Sequence, residues 1–199
     1  MEKKETINSA EKQKKETAEL KRCFIALELS REAINEIEEI QKLLKKKNLF
    51  YGKFTEPENL HLTLKFLGEI TEERVKEVKE KLKLVKFPCF EASLGELGTF
   101  INRYNSILWI KLNGKEIWEL QKKIDGNLED LGFIAEERFM SHITIARMKK
   151  INDKAEFLHY VKNVKSCKIK FKVKEFVLKK SELNEEGPVY TDIERFKLD

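Results

Sequence analysis

Leu60-His61-Leu62-Thr63-Leu64-Lys65-Phe66-Leu67, closed by Gly68, and His142-Ile143-Thr144-Ile145-Ala146-Arg147 are the stretches whose reading decides the fold. Both alternate with a period of two, the pattern of a strand with one face buried. Successive side chains on a strand face opposite ways. His61 and Thr63 therefore share one face while Leu62 and Leu64 enter the core, and His142 and Thr144 share a face in the same manner. Each strand offers an imidazole beside a hydroxyl.

Outward from these strands the chain repeats itself. Cys23-Phe24-Ile25-Ala26-Leu27 is short and apolar enough for a buried strand. Ser30 is placed to cap a helix with Ala33, Ile34, Ile37, Ile40 and Leu43 on one face, ending before Phe50. A second helix starts near Thr71 with Val75, Val78, Leu82 and Val85 inward. Phe90 to Phe100 and Ile107 to Leu112 read as strands, joined by a turn over Asn102 to Ser106, with Gly95 and Gly98 as weak points in the first. A helix with Ile117, Leu120, Ile124 and Leu128 inward ends at Leu131, with Gly132 as its C-cap. Residues 152 to 163 suit a short helix. Ile169, Phe171 and Val173 alternate with lysines, and Val189 to Leu198 form the last strand, with Glu185-Glu186-Gly187-Pro188 as the turn between these two. Strand, helix and His-bearing strand thus occur twice, over 37 residues from Phe24 to His61 (61−24) and 35 from Ile107 to His142 (142−107). Such self-similarity implies duplicated lobes.

Composition narrows the function classes. A chain of 199 residues with 41% hydrophobic content suits one domain or two fused lobes around a real core. Residues 1–20 hold balanced Lys and Glu with almost nothing to bury, so they are expected to be a frayed helix or loose tail, with residues 21–199 as a single bilobal domain. No apolar run approaches the roughly 20 residues that span a bilayer. The amino terminus lacks the apolar centre of a secretory signal, so a cytoplasmic protein is expected, with no membrane partner. Cys23, Cys89 and Cys167 lie far apart without a C-x-x-C pair and are read as reduced thiols. A net charge of +5 is small beside 40 basic and 35 acidic side chains and leaves nucleic-acid binding open.

Two of the three histidines sit in the same four-residue pattern, His-Leu-Thr-Leu and His-Ile-Thr-Ile. One such His can simply satisfy a buried hydrogen bond, and one Thr can be there for its strand preference. Two copies in duplicated lobes are hard to explain that way. If the lobes face each other, two imidazoles and two hydroxyls line a cleft that suits a phosphate. An imidazole titrates near pH 6.5, so one His can take a proton from an attacking hydroxyl while the other, protonated, gives one to the departing oxygen. Thr hydroxyls can donate to the non-bridging oxygens. Two imidazoles could also bind zinc, but no third ligand shows suitable spacing; no metal or other cofactor is expected. His159 has no Thr two residues later and reads as a surface or core residue.

At these residues the chain resembles the two-histidine (2H) phosphoesterase superfamily, and within it the RNA 2′,3′-cyclic phosphodiesterases, also called 2′-5′ RNA ligases. The likeness covers residues 21 to 199. Arg22 to Leu27 is similar to the family's opening strand, Pro57 to Gly68 to its first signature, and Gly187-Pro188-Val189-Tyr190 with Arg195-Phe196 to its ending. The resemblance implies an α+β fold of two pseudo-symmetric lobes, each an antiparallel sheet with outer helices, and an active cleft between the sheets. It implies hydrolysis of RNA ends, or nucleotide 2′,3′-cyclic phosphates, to 2′-phosphomonoesters without metal or ATP, with ATP-independent 2′-5′ ligation as a reverse activity. It assigns His61 as proton donor and His142 as acceptor, roles that are interchangeable on the residues alone. Ser141 departs from the Pro found there in many relatives. A monomer is expected.

Further candidates bind substrate. Lys65 shares parity with His61 and Thr63 and would point into the cleft on a regular strand. Arg147 is out of phase with His142, but a bulge could swing it toward substrate. Phe24, Tyr190 and Phe139 lie near the expected cleft mouth and could stack a base, although core packing is the stronger reading for each. Lys168, Lys170, Lys172 and Lys174 share a strand face that could steer RNA. Rival readings are a nucleotide-binding 2H module without turnover, a 2′-5′ oligoadenylate phosphodiesterase, and a phosphodiesterase of cyclic ADP-ribose derivatives.

Overall fold

In the computed structural model, residues 19–102, 106–164, 166, 168–185 and 187–199 are described. Most of the expected amino-terminal tail, part of the Asn102–Ser106 turn, Glu186 and Cys167 lie outside them. The elements run β1 (Lys21–Glu28), α1 (Arg31–Lys47), β2 (Phe50–Phe54), β3 (His61–Ile70), α2 (Glu72–Lys83), β4 (Phe90–Phe100), β5 (Ser106–Asn113), α3 (Lys115–Leu128), β6 (His142–Ile151), α4 (Lys154–Asn163), β7 (Lys170–Val173), β8 (Glu175–Asn184) and β9 (Gly187–Lys197).

Local chemistry accounts for the helix ends. Ser30 accepts from the Ala33 N–H, Thr71 from Arg74 and Asp153 from Glu156, so α1, α2 and α4 each begin on a side-chain cap. A 3-10 turn after α3 stops at Gly132, whose left-handed φ of 77° a side chain would disfavour. The α1 face differs from expectation at one position. Leu43 is 53% exposed, and the buried row runs Ala33, Ile37, Ile40, Leu44 with Gln41 among them. A period of 3.6 residues carries the stripe from position 40 to 44 rather than 43.

The strands pair antiparallel in the order β7-β4-β5-β6-β3-β1-β8-β9, with β2 also on β6. The path divides into two four-strand halves at the β6/β3 seam, which is one residue pair long, Leu62 with Ile143. As expected, the fold is α+β with two similar lobes. The two sheets are joined at this seam, and the chain end curls the whole: Leu198 N–H donates to Lys174, and Asp199 bonds Phe87 and Cys89. Two strands escaped the sequence reading. β2 is short and contains a glycine, and β8 buries Phe176, Val177, Leu178 and Lys179 in succession, so neither alternates. The turn at Glu185 therefore joins β8 to β9, where Asn184 pairs with Gly187. Gly68 does not close its strand, since β3 continues to Ile70 opposite Lys21.

Leu62 has no exposed surface and sits at the seam between lobes. Leu62→Ala should lower unfolding free energy by about 2–5 kcal/mol, against less than about 0.5 kcal/mol for Leu43→Ala, in urea titrations followed by circular dichroism.

Candidate active site

The Leu62–Ile143 pair sets the geometry of the cleft. In an antiparallel pair its flanking residues lie on the opposite face, so His61 and Thr144 stand on one side of the bridge and Thr63 and His142 on the other. The repeated His-x-Thr patterns thus converge about one backbone contact.

Both imidazoles are held in the same way. The Nδ1–H of His61 donates to the Asn59 carbonyl at 2.8 Å, and that of His142 to the Met140 carbonyl at 2.8 Å, in each case two residues back. A carbonyl only accepts, so this contact places the neutral ring's proton on Nδ1 and leaves Nε2 to react. The Thr63 hydroxyl donates to His61 Nε2 at 3.0 Å. Ser141 serves the second strand: its hydroxyl donates to the Leu112 carbonyl at 2.6 Å, and its own carbonyl accepts from the Leu112 N–H. A proline there could not make the first bond.

The two histidines differ in surroundings. His61 packs against Phe24 (4.9 Å between centroids) and edge-on to Tyr190 (5.1 Å). Burial pushes its pKa down to about 4, aided by the positive charges of Lys179 and Arg147 and opposed by the Asn59 carbonyl and Glu28. Lys179 is itself buried between Glu28 (2.7 Å) and Asp192 (2.5 Å), and Arg195 bonds Glu28, Glu175 and Asp192. Burial raises the Glu28 pKa, but bonds from Lys179 and Arg195 outweigh it and hold the group ionised. His142 instead lies beside Phe100 (5.4 Å) and Trp109 (6.3 Å). The Trp109 indole covers Gly98, where a Cβ would stand 2.2 Å from the ring; the expected weak point is a seat for that indole.

Matching bulges decide the remaining candidates. Ala26 pairs with Thr63 but Ile25 with Lys65, leaving Leu64 as the extra residue; Trp109 pairs with Thr144 but Leu108 with Ala146, leaving Ile145. Parity reverses after each bulge. Arg147 returns to the face of His142, and its charge is felt at both His61 and Tyr190. The expectation for Lys65 is overturned for the same reason. It turns inward, 5% exposed, and pairs with Asp125 of α3 at 2.5 Å rather than facing the cleft. Phe66 takes the cleft side instead. It is 71% exposed and 6.3 Å from Phe24, a position that the strict period of two concealed.

Phe24, at 3% exposure, is the floor beneath His61, so a base cannot stack on it. Phe139 packs in the core against Trp118. Tyr190 is half-buried at the cleft. His159 is exposed and bonds Asn163. Lys170 and Lys172 are on β7 at the sheet edge, with Lys168 and Lys174 flanking it, and β4 and β5 lie between that edge and β6. Among the described residues no group of three or more His, Cys, Asp or Glu could hold a metal, and no helix is long and apolar enough to cross a membrane. Cys23 is buried and free, its thiol pushed up to about 11 by burial, and Cys89 is free.

The fold has counterparts among known proteins. The family model for LigT-like phosphoesterases matches residues 27–109 and 111–190. The RNA 2′,3′-cyclic phosphodiesterase of Methanocaldococcus jannaschii is 35% identical over 177 residues, 88% of this chain and 99% of that protein. The protein of the same name from Methanothermobacter thermautotrophicus is 32% identical over 182 residues, 89% and 98% of the two chains. The crystal structure of TT0787 from Thermus thermophilus superposes with a TM-score of 0.75 at 28% identity, covering 88% of this chain and 97% of that one. That of E. coli LigT also gives 0.75, at 22% identity and 91% and 99% coverage.

The His61 pKa carries a sign that can be tested. Folded His61 refuses a proton that the unfolded chain accepts below pH 6.5, so its contribution to stability is present above that value and lost as pH falls toward about 4. In ¹⁵N NMR, His61 of the ligand-free protein should stay neutral to about pH 4, and inorganic phosphate should raise that midpoint, because an adjacent anion favours imidazolium. A midpoint that phosphate leaves unmoved would remove anion binding at His61.

Proposed function

The chain belongs to the LigT-like phosphoesterases, and from that premise we propose that it hydrolyses RNA 2′,3′-cyclic phosphate ends to 2′-phosphomonoesters by metal-independent acid/base catalysis. The observation that carries the reading is the pair of Nδ1-to-carbonyl contacts, which turn the Nε2 atoms of His61 and His142 to the cleft across the Leu62–Ile143 bridge. The curated relatives named as RNA 2′,3′-cyclic phosphodiesterases support the substrate class.

In the proposed step, His142 Nε2 accepts a proton from water as the water oxygen bonds to phosphorus. The phosphorus–O3′ bond breaks opposite it, and His61 Nε2–H gives its proton to O3′. Phosphate stays on O2′, and the two histidines exchange protons with solvent before the next cycle. Burial holds His61 neutral in the free protein, so it is charged by the phosphate that it serves: the anion makes imidazolium favourable as it binds. Thr63 then leaves Nε2 and, with Thr144, donates to the non-bridging oxygens, while Arg147 offsets their charge. These cations and donors supply what a metal would, so none is required. Phe66 and Tyr190 give aromatic surface for a base. With the 5′-hydroxyl of a second RNA in place of water, the same displacement gives a 2′-5′ linkage without ATP. We also propose that residues 21–199 act as one bilobal catalytic unit in the cytoplasm.

The test is incubation with an RNA oligonucleotide ending in a 2′,3′-cyclic phosphate, in EDTA, with 2′- and 3′-phosphate products resolved. A 2′-phosphate should form at the rate seen without EDTA. His61→Ala or His142→Ala should each lower kcat by about 10²–10⁴-fold, and Thr63→Ala or Thr144→Ala by about 10–10³-fold, as for loss of one oxyanion donor. A 3′-phosphate product or strong inhibition by EDTA would overturn the mechanism. Nucleotide binding without turnover would favour a binding module, and turnover confined to 2′-5′ oligoadenylate would favour that substrate.

A further inference from the structure

Each histidine strand is entered by a loop, and each loop is held from behind by a buried polar residue of a helix. In the first lobe Gln41 Nε2 donates to the Thr55 carbonyl at 2.8 Å and to the Ile145 carbonyl at 2.9 Å. The Thr55 N–H donates to the same Ile145 oxygen at 3.0 Å. In the second lobe Asp125 Oδ2 accepts from the Glu136 N–H at 2.8 Å and from Gln121 at 2.6 Å, and Oδ1 accepts from Lys65 at 2.5 Å. Lys65 also donates to the Ile134 carbonyl at 2.8 Å.

The two arrangements correspond. Gln41 and Asp125 are both the eleventh residue of their helices, which begin at Arg31 and Lys115. Thr55 stands four residues before Asn59, and Glu136 four before Met140, the two carbonyls that fix the histidine rings. The other partner belongs to the opposite lobe. Gln41 reaches Ile145, the bulge residue of the His142 strand, and Asp125 reaches Lys65, beside the bulge of the His61 strand. Each buried side chain thus ties the approach to one histidine to the strand that carries the other.

We propose that Gln41 and the Asp125–Lys65 pair are positioning residues that hold the two imidazoles in register across the cleft. The seam consists of one residue pair, so by itself it resists little rotation of one lobe against the other. The clamps grip behind it, at both bulges. In-line displacement needs donor and acceptor on opposite sides of phosphorus at once, and a misplacement of about 1 Å can reduce rate about 10²-fold. The kinetic part of this inference rests on the proposed hydrolysis.

The test uses the full chain with Gln41→Leu and, separately, the double change Lys65→Met with Asp125→Leu, which removes both the ion pair and the hold on the Glu136 N–H. With a nucleoside 2′,3′-cyclic monophosphate, well below the melting temperature, each variant should lose about 10–100-fold in kcat while KM changes less than about threefold. The hydrogen-bonded Nδ1–H resonances of both His61 and His142 should shift in each variant, because each clamp spans both lobes. Wild-type kcat in both variants, or resonance changes confined to the histidine of the mutated helix's own lobe, would overturn the proposal. A wild-type protein without turnover would refute the hydrolytic reading alone, and the resonances would still decide the clamps.

Discussion

One backbone pairing, Leu62 with Ile143, joins the two halves of the sheet, and the cleft exists because the pairing goes no further. Strands twist right-handedly, so two neighbours joined at a single point splay apart on either side of it. The splayed region exposes the faces of β3 and β6 that carry His61, Thr63, His142 and Thr144. β2 covers the remaining length of β6 from Ala146 to Ile151, so the strand is not left with a bare edge.

The bulges at Leu64 and Ile145 are the second constraint. Two consecutive buried residues follow Thr63 and Thr144, and the strands then resume with reversed parity. On the second strand this delivers Arg147 to the cleft, a guanidinium suited to a phosphate. On the first it delivers Phe66, an apolar ring. The same reversal sends Lys65 inward, where an ammonium is tolerated only because Asp125 and the Ile134 carbonyl meet it. Arg147 on β6 and Phe66 on β3 therefore differ in kind at matching positions, an asymmetry laid over a symmetric scaffold.

The histidines share a tautomer and differ in setting. His61 is enclosed by Phe24 and Tyr190 with positive charge nearby, which disfavours its imidazolium. Glu28 faces it across the β1–β3 ladder but is occupied by Lys179 and Arg195, so its charge is largely spent elsewhere. The scaffold is thereby able to treat two identical side chains differently while fixing both rings through the same kind of carbonyl.

The sequence by itself determined the His-x-Thr repeat, the helices and all strands but β2 and β8, and most of the core, because alternation and the 3.6-residue stripe follow from local geometry. The inward rows of α2 and α3, the caps at Ser30 and Gly132 and the start of α2 near Thr71 were legible for that reason. Only tertiary structure decided what depends on partners distant in the chain. β8 hides because a strand buried on both faces does not alternate. Lys65 and Phe66 exchange faces because a bulge answers to the register of β1, far earlier in the chain, and not to the residues beside it. Phe24 became a floor rather than a stacking surface because Tyr190, from the last strand, closes over it. Periodicity assigns a side chain to one of two faces; what the face meets, and where its phase breaks, is set by long-range packing.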